Sequence, residues 1–240
     1  MIKVVDYHKT YRELTAVAGL SFEAPPGAVL GLVGPNGAGK TTTLRALAGI
    51  IPPTKGQLFV GGHDVVADPV AAKRQLAYVP DDPKLFDSLT VWEHFQFVAA
   101  AYRVTNFEPL AEELLVQFEL TEKRDALAQE LSRGMRQKTA VACAYLHNPQ
   151  TLLFDEPLTG LDPRGIRTFN DSVRQRAAAG ATIVISSHLL ALVEDLCTHL
   201  LILQQGRSLF WGPIEAAREA FASSDAAASL EDVFFKATEG

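Results

Sequence analysis

The sequence predicts an α/β protein with an antiparallel edge sheet and an inserted helical subdomain. Three observations carry that expectation. Apolar runs without alternation, such as "AVLGLVG" (28–34) and "TLLFDEP" (151–157), read as strands covered on both faces of a parallel sheet. Segments with helical spacing follow them. Between 86 and 130 the strand patterns stop, and "LTVWEHFQFVAAAYRV" and "FEPLAEELLVQFEL" give two amphipathic helices.

In chain order, "IKVVDYH", "AGLSFEA" and "QLFVGG" alternate as strands of an antiparallel edge do. Buried strands are expected at 28–34, 76–80, 151–157 and 181–188, and helices at 39–49, 163–179 and 189–197. One domain spans 1–240. Residues 1–85 and 150–222 form its α/β core with the edge sheet, 86–149 its helical subdomain, and 223–240 a terminal helix. "SSDAAAS" is the joint before that helix, which Ser229 and Asp232 cap.

Bulk properties narrow the function. The chain has 240 residues, 48% of them hydrophobic, enough for one full core. A net charge of -6 and the absence of a Lys/Arg-rich run argue against nucleic acid as a partner. Cys143 and Cys197 lie among apolar residues and read as free buried thiols. "MIKVVDYHK" turns polar too early for a secretory signal, and no apolar run approaches the about 18 residues of a membrane span. The expectation is a soluble cytoplasmic protein.

"GPNGAGKT" (34–41) fits G-x-x-x-x-G-K-[ST], between an apolar strand and the helix "TTTLRALAG". In such a loop Gly34, Gly37 and Gly39 let backbone N–H groups, including those around Asn36 and Ala38, turn toward an anion where a side chain would clash. The helix dipole adds to that field. Lys40 supplies a charge to the β- and γ-phosphates of a nucleotide, and the Thr41 hydroxyl can ligand Mg²⁺. A second feature is "TLLFDEP", where Asp155 and Glu156 end an apolar strand. Carboxylates there are costly unless a cation holds one of them. Asp155 suits the Mg²⁺ shell. Glu156, expected to point the other way by strand alternation, suits the attacking water.

"LSRGMRQKTA" (131–140) is a puzzle. Ser132 is a good N-cap, yet Arg133 and Arg136 crowd a helix end that is already positive. Such an end waits for an anion.

Together, "GPNGAGKTT", "LSRGMRQ", "LLFDEP", "TGLDP" and "SSH" resemble, in order and spacing, the ATP-binding subunits of ABC transporters, most of all bacterial export-type systems. The resemblance covers essentially the whole chain. It implies Mg²⁺-ATP hydrolysis in a head-to-tail dimer with a second copy or a homologous subunit. Integral membrane permease subunits would be driven by it, placing the chain on the cytoplasmic membrane face. It also supplies the missing anion, a γ-phosphate held by the second subunit and bound by Ser132 and Gly134. Tyr11 would stack on adenine, or is a core or edge-strand tyrosine. Thr42 would touch phosphate, His188 would contact the γ-phosphate and position water, and Asp162 would cross the dimer interface, cap the helix at Pro163, or both.

Two departures stand out. Arg133 and Met135 replace the first Gly and the Gln of LSGGQ, and Asp81 in "YVPDD" stands where the family most often has Gln near Mg²⁺. An ionised carboxylate still accepts but cannot donate. "KLFDSLTVWEHF" (84–95) offers a docking surface for a permease, although Trp92 and Phe95 fit a helical core equally well. A chromosome or repair ATPase would carry a long coiled-coil insertion, and none is present. A non-transport regulatory ATPase is the alternative the residues leave open.

Overall fold

The computed structural model describes residues 1–188 and 190–221, with the side chains of Ala191 and Phe221 left aside. The terminal helix expected over 223–240 lies outside the described residues.

Two sheets form the frame. The smaller has the order β2-β1-β4-β5, from β1 (Ile2–Tyr11), β2 (Leu14–Ala24), β4 (Lys55–Val60) and β5 (His63–Asp64), all antiparallel. The larger has the order β10-β9-β3-β8-β7-β6. Its strands are β3 (Val29–Val33), β6 (Leu76–Val79), β7 (Thr151–Asp155), β8 (Thr182–Ser186), β9 (His199–Gln204) and β10 (Arg207–Pro213). All neighbours in it are parallel except β10, which returns antiparallel along β9. The helices are α1 (Lys40–Leu47), α2 (Pro69–Arg74), α3 (Val91–Tyr102), α4 (Glu108–Gln117), α5 (Arg133–Leu146), α6 (Pro163–Ala178), α7 (Leu190–Leu196) and α8 (Ile214–Phe221).

Every residue of β3, β7 and β8 is buried, which explains their unbroken apolar pattern. Alternation divides them between two cores. Leu30, Leu32, Leu153 and Val184 face the core that holds Leu44 and Leu47 of α1 and Ile2, Val4 and Leu58 of the small sheet. Val29, Val33, Leu152, Phe154, Ile183 and Ile185 face the other core, against Phe95, Leu114, Tyr145 and Phe169 of the helices. Helix α1 is therefore clamped between the sheets, and its N-terminus is set by both.

The parallel strands deliver their carboxyl ends to one edge. Gly34 follows β3, Asp81 follows β6, Glu156 follows β7 and His188 follows β8. Ligands bind at such edges in open α/β sheets.

Several elements, α8 and β5 among them, lie outside the sequence expectation. The β9–β10 hairpin is absent from it, because its two-residue turn is Gln205-Gly206 rather than Asn-Gly or Asp-Gly. Both residues have positive φ, 48° and 76°, as a type I′ turn requires. The short α2 also escapes periodicity. It is fixed by Asp68, whose carboxylate accepts from Ala71 N at 3.4 Å, and by Pro69 in its first turn. In the helical region, Phe95 is fully buried in the core, and the Arg124 guanidinium lies 3.8 Å over the partly buried Trp92 ring. Both side chains serve the packing of that region, so they leave the docking surface.

Phe154, one residue before Asp155, is fully buried and packs edge-on against Phe169 with centroids 5.1 Å apart. Replacing Phe154 with Ala is expected to lower stability by about 3–5 kcal/mol through the cavity left behind. Urea denaturation followed by circular dichroism measures it, and a midpoint within error of the parent would contradict this packing.

Candidate functional site

Helix α1 begins without a side-chain cap. Its N-cap is Gly39 with φ 104°, and no acidic residue occupies its first turn. The N–H groups of Lys40, Thr41 and Thr42 are thus left at a positive helix pole with no counter-charge from this helix. The loop before it owes its path to two close approaches. A Cβ at Gly34 would fall 2.3 Å from the Leu203 carbonyl, and one at Gly39 would fall 2.8 Å from the Ala16 carbonyl. Side chains there are excluded by the protein's own backbone. Gly37 has open space around it, and its φ of 80° is what favours glycine. The hairpin turn missed in the sequence braces this loop, since Gly206 N donates to the Ala38 carbonyl at 3.1 Å.

Lys40 is nearly buried, and its ammonium donates to the carbonyls of Gly34 at 2.6 Å and Pro35 at 3.2 Å. Burial pulls its pKa below the ordinary lysine value, while Glu156 and Asp155 act the opposite way. Asp155, 1% exposed, is held by hydroxyls. Thr41 Oγ1 and Ser186 Oγ donate to its Oδ1 at 3.1 and 2.6 Å, and Tyr78 donates to its Oδ2 at 3.3 Å.

Glu156 lies just past β7, and its direction is not set by alternation. A left-handed turn at φ 47° swings it, with its N–H donating to the Ser186 carbonyl and hydroxyl, each at 3.1 Å. Such a conformation is unusual outside glycine and asparagine and stores on the order of 1 kcal/mol of strain. The carboxylate then meets His188, whose Nδ1 lies 2.8 Å from Oε2.

A cleft of about 420 Å³ gathers Asn36, Gly37, Ala38, Gly39, Lys40, Thr41 and Thr42 with Asp81 and Glu156. Tyr11 stands at its rim, 43% exposed at the tip of the β1–β2 hairpin, with the Lys9 ammonium 5.0 Å from its ring centre. Gly34 and His188 line an adjoining pocket that shares Asn36 with the cleft.

Ser132, Gly134 and Asp162 are placed elsewhere, in a hollow of about 270 Å³ with Lys138 and Gly160. No residue lines both the cleft and this hollow. Ser132 caps α5, accepting from Met135 N at 3.3 Å, and Asp162 caps α6, accepting from Gly165 N at 2.9 Å. The two arginines of the α5 start divide. Arg136 is answered within the chain, donating to Asp87 Oδ1 at 3.1 Å and to the Ala128 carbonyl, so its charge does not wait for an external anion. Arg133 lays its aliphatic stem against Gly160.

Sequence reasoning missed Ser186 and Tyr78. Ser186 was legible as the strand residue two before His188. Tyr78 gave no signal beyond its place in a buried strand. The donor set around Asp155 is all oxygen, and its direct hydrogen-bond partners are neutral hydroxyls. That chemistry fits a hard cation such as Mg²⁺, which takes one or two protein oxygens plus phosphate oxygens and water. Among the described residues no cluster of three or more His, Cys, Asp or Glu forms a cage of its own, in keeping with such sharing.

A phosphate loop at the end of a parallel strand, a neighbouring buried carboxylate and a distant capped helix end define an ATP-binding cassette. The model of the family described as ABC transporter matches residues 17–159, more than half of the chain, and the chain belongs to that family. It is 32% identical to the ABC-type transporter ATP-binding protein EcsA of Bacillus subtilis, over 100% of this chain and 97% of that protein. It is 34% identical to the Nod factor export ATP-binding protein I of Paraburkholderia xenovorans, over 94% of this chain and 74% of that one. A solved ATP-binding subunit of an ABC transporter superimposes with a TM-score of 0.94 at 32% identity, each chain covered over 99%. A dimeric cassette solved with ADP and phosphate has a TM-score of 0.79 at 22% identity, with 89% of this chain and 99% of that one covered, and shares the fold. The protein is an ABC-type ATPase, the ATP-binding subunit of a transporter.

A Cβ at Gly134 would lie 2.4 Å from the Gly160 carbonyl. Gly134→Ala gains at most about 1 kcal/mol in helix propensity. Overpacking against a backbone atom costs about 1–3 kcal/mol. A net loss of stability is expected, read as a lower urea midpoint. A raised midpoint would show that the loop at Gly160 yields freely.

Proposed function

We propose that the chain hydrolyses ATP in the cleft between the phosphate loop and Glu156, and that the hollow at Ser132 completes the site of a second cassette. The observation that carries this reading is the separation of the cleft from the hollow on one chain. Each has half of an anion site, and a head-to-tail pair joins the halves.

ATP phosphates meet the uncapped start of α1, where Lys40 can exchange two neutral carbonyls for charged oxygens. Asp155 and Thr41, with Asp81 nearby, are the residues that would hold Mg²⁺. When bound, the ion would neutralise charge on the phosphate oxygens. Glu156 orients a water and accepts its proton as the water oxygen bonds the γ-phosphorus. The bond from that phosphorus to the bridging oxygen breaks, and ADP takes the electron pair. His188, hydrogen-bonded to Glu156, fixes the carboxylate and faces the γ-phosphate. Thr42 adds a contact to phosphate, and Tyr11 offers its ring to the base once Lys9 moves aside. Ser132 and Gly134 present the α5 pole to the γ-phosphate of the opposite site, and Asp162 lies along the same interface.

No helix among the described residues is long and apolar enough to cross a membrane, and in this reading the membrane is crossed by a permease subunit. An exposed groove of about 440 Å³ carries Ile50, Leu85, Phe86, Phe97 and Tyr102. Phe86 and Phe97, each about half exposed, meet edge-on at 5.1 Å. This groove is the docking site for a cytoplasmic segment of a permease subunit, which would hold the chain at the membrane. Support comes from Leu85 and Phe86, which bring the 84–95 segment into the groove, and from relatives named as transporter subunits.

Glu156→Gln should keep ATP binding, slow turnover at least about 100-fold, the low end for a lost general base, and accumulate ATP-bound dimers in gel filtration. Parent-rate hydrolysis would remove Glu156 from the mechanism. Asp81→Gln should retain much of the basal rate because a carbonyl ligand remains. Asp81→Lys should lose Mg²⁺-dependent activity by repelling the metal, and an Mg²⁺ titration like the parent's would place Asp81 away from it.

A further inference from the structure

Asp155 has unequal support at its two oxygens. Thr41 and Ser186 both grip Oδ1, whereas Tyr78 is the one hydrogen-bond donor to Oδ2 among the described residues. Rotation of a carboxylate about its last bond is soft, with a broad torsional profile. Two bonds to a single oxygen leave that rotation poorly fixed, and a third bond to the other oxygen defines the plane.

Tyr78 reaches this position through register. It pairs with Leu153 across the parallel β6–β7 ladder, and Asp155 follows two residues later on the same face of its strand. Tyr78 packs against the core that holds α1, and its neighbours Ala77 and Val79 face the other core. Its hydroxyl reaches past Leu153 to Asp155 at the end of β7. The phenol is a protonated donor at neutral pH, as the bond to a carboxylate needs.

We propose that Tyr78 is a positioning residue that sets the plane of the Asp155 carboxylate and so presents it to the metal of the Mg²⁺-ATP complex. The proposal rests on the reading of Asp155 as a metal ligand. It adds a residue to the site, because β6 then contributes an orienting hydroxyl besides leading into Asp81. Outer-shell partners of this kind are worth about 10–100-fold in metal affinity.

The experiment measures Mn²⁺ binding in the presence of ATP by electron paramagnetic resonance, in a Glu156→Gln background that does not turn over. Parent, Tyr78→Phe and Asp155→Asn are compared, with ATP binding in EDTA and urea midpoints for each. Phe keeps the ring and removes only the hydroxyl. Tyr78→Phe is expected to weaken Mn²⁺ binding about tenfold, with ATP binding in EDTA unchanged. A purely structural hydroxyl would lower the urea midpoint and leave the Mn²⁺ constant at the parent value. That result overturns the proposal. If Tyr78→Phe matches the parent while Asp155→Asn loses Mn²⁺, only the role of Tyr78 fails. If Asp155→Asn also binds Mn²⁺ like the parent, the metal assignment of Asp155 fails with it.

Discussion

A buried carboxylate organises this molecule. Asp155 ends a strand with both faces covered, and an ionised group there is expensive unless its oxygens are satisfied. The hydroxyls that satisfy it come from α1, β6 and β8, so three elements must be in place at once. Helix α1 reaches Thr41 to it only because the two sheets clamp Leu44 and Leu47 between them. The edge sheet, remote from the chemistry, thereby fixes the start of the phosphate loop helix. Polar convergence at the strand ends and apolar closure behind it are mutually dependent.

The same geometry explains how Glu156 differs from its neighbour. Asp155 is inside the ladder and Glu156 has left it, through a left-handed residue tied to Ser186. One carboxylate is gripped by hydroxyls and the other faces the cleft beside a histidine. Two adjacent acids thus receive separate environments, as the proposed split between metal binding and proton transfer requires.

Much of this was legible in the residues. The runs at 28–34, 76–80, 151–157 and 181–188 are strands because burial on both faces leaves no room for polar alternation. The phosphate loop was legible because its chemistry demands a fixed spacing. The reason for Gly34 and Gly39 was not, since it depends on Leu203 and Ala16, distant in sequence. The β9–β10 hairpin hid behind a Gln-Gly turn whose positive φ is a tertiary outcome. Arg136 looked unpaired because Asp87, its partner, lies 49 residues away. Tyr78 gained its contact from strand register, which no local pattern encodes.

Gly134 and Gly160 meet without a side chain between them. The segment from Glu156 to Asp162 is short, running from the cleft to the hollow. Where two cassettes pair head to tail, those two surfaces face different nucleotides. Glycine contact then acts as a stiff crosspiece between separate ligands. Whatever free energy one nucleotide spends in moving the crosspiece is felt by the other, and thermodynamic reciprocity makes the effect equal in both directions.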